Sequence, residues 1–149
     1  MNSSANRLRL ACGLLGLRSL RISVVGHSIG SAVNIGFGPT VPRRFIKRKT
    51  GKRRPGFKMS AGRDLFLPSV AWELHAVGGY RLRSSDCARR IAREMPKLTG
   101  KTVIGASLIG TRRHLKVWFD DGGTLMLMGR TGWNLRVGRS LLSVDREEA

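Results

Sequence analysis

Apolar positions follow two rhythms along this chain. In "RHLKVWF" they recur every second residue: Leu115, Val117 and Phe119 alternate with His114, Lys116 and Trp118, as a strand with one buried face requires. "TVIGASLI" predicts a strand before it and "TLMLM" one after it. "WNLRV" predicts a last strand, with Trp133, Leu135 and Val137 alternating with Asn134 and Arg136. Asp120-Asp121-Gly122-Gly123 offers the positive-φ positions of a tight hairpin, and Gly129 to Gly132 makes a second turn. In "SSDCARRIAREMPKLTGK" the rhythm lengthens. Ala88, Ile91, Met95 and Leu98 fall on one helical face, while Arg89, Arg90, Arg93 and Lys97 fall mainly on the others. Ser85 is the predicted N-cap with Asp86 in the first turn. Pro96 removes a backbone donor, so the helix should end near Met95 and the chain turn at Gly100. The predicted fold class is α+β: one amphipathic helix on a small antiparallel β-meander of about four strands.

Away from these elements the pattern weakens. "LFLPSVAWELHAVGGYRLR" reads as a short irregular or helical segment followed by a turn, with Trp72, Leu74 and Val77 as core candidates. The last residues, 139–149, read as a frayed tail. Before Asp64 a basic, largely disordered region is expected, and the acids mark its limit. Residues 1–63 hold 14 Lys plus Arg and no acid; residues 64–149 hold 14 Lys plus Arg and all 9 acids. The expected organisation is therefore a leader over 1–42, a basic flexible linker over 43–63, a domain over 64–138 and the tail. Three readings of the leader stand open: an organelle transit peptide, for which "RLRLACGLLGLRSLRI" has the basic amphipathic composition; a disordered arm; or residues that precede a true start at Met59.

Net charge narrows the partner. A formal +19 on 149 residues points to a polyanion, nucleic acid before an anionic membrane surface. The charge concentrates in "VPRRFIKRKTGKRRPGFK", where Arg43, Arg44, Lys47, Arg48, Lys49, Lys52, Arg53, Arg54 and Lys58 lie among the breakers Gly51, Pro55 and Gly56. Such a run has too little apolar area to offset its ordering entropy, so it is expected to be mobile when free. On DNA or RNA its cations would neutralise phosphates and release counterions, giving salt-sensitive, sequence-independent affinity. Phe45 and Phe57 are candidates to stack on exposed bases. Arg112, Arg113, Arg130 and Arg136, in the predicted sheet and its last turn, are further phosphate candidates.

Other chemistry finds little in the residues. Cys12 and Cys87 lie far apart and form no C-x-x-C pair; each is expected to be a small buried residue rather than a reactive thiol. His27, His75 and His114 are scattered, so no metal or cofactor is expected. Asp120 and Asp121 read as turn residues. "GASLIGT" sits in a predicted strand and lacks the lysine of a phosphate loop. Arg18 and Arg21 interrupt the apolar stretches near the N-terminus, so no membrane span is expected, and the oligomeric state is not readable from the residues.

"LTGKTV" after an amphipathic helix, a strand ending "FDDG", and "TLMLMGRTGWNLRV" together resemble the N-terminal domain of the formamidopyrimidine-DNA glycosylase and endonuclease VIII family, over about residues 86–137. The resemblance implies DNA as partner, but not the family's catalysis. Its nucleophile is an N-terminal proline amine beside a glutamate, and the matching stretch here reads "SSDCARRIA". By the same resemblance, the phosphate-contacting lysine falls at Arg112 or Arg113, the family's histidine at Leu127, and the methionine that wedges into the base stack at Arg130. Gly129, Thr131 and Gly132 match. The family's zinc finger and helix-two-turns-helix have no counterpart, so kinship would imply a fragment or non-catalytic descendant.

The leading expectation is a small, basic, non-catalytic nucleic-acid-binding protein. A glycosylase-like remnant acting on damaged DNA is one alternative. The other is a ribosome-associated or protein-interaction module with Trp72, Trp118 and Trp133 partly at an interface.

Overall fold

The structure is a computed structural model and describes residues 11–27, 33–49, 52–67, 71–109, 114–128, 134–138 and 140–142. Among these residues a short helix, α1 (11–15), leads into ten strands. These are β1 (Ile22–His27), β2 (Val33–Lys49), β3 (Lys52–Leu67), β4 (Ala71–His75), β5 (Arg81–Arg83), β6 (Val103–Ile109), β7 (His114–Phe119), β8 (Thr124–Met128), β9 (Asn134–Val137) and β10 (Ser140–Leu142). Between β5 and β6 lie helix α2 (Ala88–Glu94) and a 3-10 turn, Met95–Leu98. The strands form two antiparallel five-stranded sheets, in the orders β1-β2-β3-β9-β10 and β5-β4-β8-β7-β6.

Alternation builds both sheets. In the second, Leu82, Leu74, Leu125, Val117 and Ala106 stand opposite one another across all five strands. In the first, Leu135, Leu65, Ile35 and Val25 make the equivalent row. A residue directly opposite its neighbour keeps side chains within van der Waals reach, so each row is a continuous apolar stripe. Both stripes belong to one core cluster, which also takes Leu14 and Leu17, Ile91 of α2, and Met95 and Leu98 of the 3-10 turn. The sheets meet at a backbone seam: Val103 N–H donates to Leu20 O (2.9 Å), Ile22 N–H to Lys101 O (2.8 Å) and Gly100 N–H to Ile22 O (2.8 Å).

Several expectations are met. Strands lie at 103–109, 114–119, 124–128 and 134–137, and Leu115, Val117 and Phe119 are buried while their neighbours are not. Gly122 sits at φ 90°, as the hairpin needs. The helical face holds for Ile91, Met95 and Leu98, but Ala88 is exposed.

Other expectations are corrected. The last strand leaves the meander and pairs with β3 and β10, so residues 140–142 are strand rather than frayed tail. "AWELH" is a strand, because its neighbour is β8; Trp72 and Leu74 are buried, but Val77 is 61 % exposed. The helix is capped at Cys87 without a side-chain bond. Ser85 therefore does not cap it, and the Asp86 carboxylate instead accepts from Arg83 N–H at 2.7 Å. Both cysteines are exposed and unpaired.

The largest difference precedes Asp64. Residues 22–27 and 33–40 are strands, and Ile22, Val33, Ile35 and Phe37 are buried there. A hydrophobic row supplied by partners distant in sequence offsets the ordering entropy that the segment could not offset alone.

Candidate nucleic-acid interface

The basic run is the outer part of a hairpin. β2 and β3 are 17 and 16 residues long, and their pairing continues from Val33 opposite Leu67 to Lys49 opposite Lys52. Support from flanking strands stops early. β1 reaches β2 only as far as Phe37, and β9 reaches β3 only as far as Arg63. Beyond those residues, among the described residues, the hairpin is a two-stranded ribbon. At its base the register shifts, with Gly38 and Pro39 standing opposite Gly62. Gly38 has φ 82°, a left-handed conformation that glycine adopts without a Cβ penalty.

All nine basic residues from Arg43 to Lys58 lie on this ribbon, which holds no acid. The register sorts them. Arg43 stands opposite Lys58, Phe45 opposite Gly56, Lys47 opposite Arg54 and Lys49 opposite Lys52. Because successive residues alternate between faces, these eight share one face. Pro42 opposite Met59, Arg44 opposite Phe57, Ile46 opposite Pro55 and Arg48 opposite Arg53 share the other. Phe45 and Phe57 are thus placed on opposite faces. Pro42 and Pro55 fit strands that no other described strand flanks there, since a proline at a sheet edge need not remove a ladder bond. The expected mobile linker is paired strand instead. The run carries no apolar alternation in the sequence to announce its strands. The signal that was present is the pair of strand-length runs separated by only Thr50 and Gly51.

Of the body residues proposed for phosphate binding, Arg136 alone is among the described residues. Arg112, Arg113 and Arg130 lie outside the described residues, as do Gly129, Thr131, Gly132 and Trp133 of the loop that carries the family resemblance. Arg136 is described, and its guanidinium is engaged with the protein. It pairs with Asp64, its partner in the β3–β9 register, and donates to Ala61 O and Gly138 O, each at 2.8 Å. Leu127 is buried in the core.

Several other described carboxylates serve turns and strand ends. Asp120 Oδ1 accepts from Thr102 N–H (3.1 Å) and Asp121 Oδ1 from Gly123 N–H (2.8 Å). Asp121 also pairs with Lys101. The Lys101 ammonium, with help from the Gly123 N–H, holds the Asp121 carboxyl below its ordinary range, against a smaller opposing effect of burial. Glu73 is lowered in the same way, first by its hydrogen bond to His75 and then by Arg83 and Arg81. Among the described residues no group of three or more His, Cys, Asp or Glu side chains comes together as a metal site. No described helix is long and apolar enough to cross a membrane. Trp72 is fully buried, so it is a core residue rather than an interface residue. Trp118 is half-buried and lies under the Lys116 ammonium at 5.3 Å from the ring centre.

No protein-family model matches this chain, and comparison with curated proteins and with solved structures finds no match.

Proposed function

We propose that this protein is a small, basic, non-catalytic nucleic-acid-binding protein whose β2–β3 ribbon supplies most of the electrostatic affinity. The observation that carries the reading is the placement of nine Lys and Arg residues, and no acid, on a hairpin that runs past its flanking strands. Charges on a projecting element reach a polyanion without the body having to fit it. Each phosphate they neutralise releases condensed counterions, which drives binding irrespective of sequence.

The test replaces residues 43–58 with a two-residue turn joining Pro42 to Met59. Cutting the chain at Met59 would be the wrong experiment, since it removes Ile22, Val33, Ile35 and Phe37 from the core. The shortened protein is expected to bind all nucleic acids more weakly and with a flatter dependence on salt. Unchanged affinity and salt slope would refute the reading.

A further inference from the structure

Resting on that reading, we propose that the ribbon is one-sided and takes duplex DNA: the face of Arg43, Lys47, Lys49, Lys52, Arg54 and Lys58 lies in the major groove, and the face of Arg44, Arg48 and Arg53 turns away. Register is the starting point. Of the ten positions on the first face, from Val41 opposite Ser60 to Lys49 opposite Lys52, six are Lys or Arg and the others are Val41, Ser60, Phe45 and Gly56. The second face shares its three arginines with Pro42, Ile46, Pro55, Phe57 and Met59. Charge spread for solubility alone would have no reason to favour one face two to one.

The arrangement within the rich face suggests the ligand's shape. Its cations form two rows, Arg43, Lys47 and Lys49 on β2 and Lys58, Arg54 and Lys52 on β3, each residue directly opposite its counterpart. Opposed residues lie about 5 Å apart at the backbone. Two parallel rows of cationic positions at that spacing match a ligand with two phosphate walls. A duplex groove has two such walls, whereas a single strand has one row of phosphates and is usually held by stacking on aromatic platforms. This face offers one aromatic position, Phe45.

Groove dimensions then select among duplexes. The major groove of B-form DNA is about 12 Å wide and admits a two-stranded ribbon. The major groove of A-form RNA is deep and too narrow for side-chain readout, and the minor groove of B-DNA is only about 6 Å wide. Nine residue pairs, from Val41 opposite Ser60 to Lys49 opposite Lys52, span roughly 30 Å at about 3.3 Å each, close to one turn of B-DNA. The right-handed twist of a two-stranded ribbon lets one face follow the groove over that length.

Two charge-matched variants of the full chain test this: Lys47→Gln/Lys49→Gln/Arg54→Gln on the rich face, and Arg44→Gln/Arg48→Gln/Arg53→Gln on the other. Thermal melts establish that both keep the fold. Fluorescence anisotropy then measures affinity for a 20-base-pair DNA duplex, the RNA duplex of equal length and the single DNA strand, across a salt series. The first variant is expected to weaken duplex-DNA binding at least tenfold and to lower the salt slope by about 3, one for each phosphate no longer neutralised. The second is expected to weaken it less than threefold, with little change in slope. Filling the minor groove with a small-molecule groove binder should leave the unaltered protein bound. Equal losses in the two variants would overturn the one-sided assignment, while nucleic-acid binding itself stood. RNA duplex or single strand bound as tightly as DNA duplex, or displacement by the minor-groove binder, would overturn the groove assignment. Failure of the unaltered protein to bind any of the three would instead overturn the proposed function.

Discussion

Replacing Asp64 by Asn takes from Arg136 the carboxylate that pairs with it across β3 and β9. The side chains of Asp64 and Arg136 are 14 % and 26 % exposed, so the pair sits between two known regimes. Exposed ion pairs contribute about 0.2–1 kcal/mol, and breaking a fully buried pair costs about 3–5 kcal/mol. Arg136 keeps its bonds to Ala61 O and Gly138 O when the carboxylate goes, so its charge is not stranded. Asp64→Asn should therefore cost about 1.5 kcal/mol, a fall in Tm of roughly 3–6 °C for a chain of this size. Arg136→Gln, which removes all three interactions, should cost about 2–3 kcal/mol. Urea denaturation of the two single variants and the double variant gives the coupling, expected near 1 kcal/mol. Because the guanidinium is held within the sheet, Arg136→Gln should leave affinity for duplex DNA within about twofold of the unaltered protein. A coupling below about 0.3 kcal/mol would refute the β3–β9 register. A tenfold loss of affinity with stability kept would put Arg136 in the interface and refute the reasoning from its hydrogen bonds.

Three further outcomes are expected. Trp72→Ala should lose about 3–5 kcal/mol in urea denaturation, as for a large side chain deleted from a core, and a loss under about 1 kcal/mol would place Trp72 outside it. Gly122→Ala should cost about 1 kcal/mol through backbone strain alone, because φ is 90° and a Cβ there meets nothing within 4 Å; a neutral result would mean a different turn. The folded-state pKa of Asp121 lies below its ordinary value of 3.8, so its stabilisation is complete above that pH and is lost as pH falls through the lower folded-state value. Lys101→Met should thus lower Tm at pH 6 and the gap should close below pH 4; a gap that widened on acidification would contradict the assigned pairing.

Local pattern revealed what local pairing builds. The β7–β8 hairpin is separated by a four-residue turn, so strand alternation and turn chemistry lie within one short window, and both were readable together. The core face of α2 and the 3-10 turn was readable for the same reason. Pairings distant in sequence were not. Leu135 stands opposite Leu65 and Trp72 opposite Leu127, and nothing in the alternation of either strand names its neighbour. "AWELHAV" places apolar residues at spacings that suit a short helix as well as a strand, and only its partnership with β8 decides between them. The exposed cysteines show the limit of composition: a residue type that is usually buried carries no information about the particular face it occupies. The basic run showed its charge in the sequence but not its form. Charge is additive along a chain, whereas the one-sidedness of a ribbon exists only once two strands are in register.

The shift of register at Gly38 and Pro39 makes the base of the ribbon a joint with a long lever beyond it. A rotation of about 10° at the joint moves a tip roughly 30 Å away by about 5 Å, close to the spacing between neighbouring strands. Whatever stiffens residues 37–40 against 61–63 therefore sets how far the cationic end can swing. The Asp64–Arg136 pair and the Gly138 N–H bond to Gly62 O hold one side of that base, so the short C-terminal strand, though distant from the charges, is anchored where the lever begins.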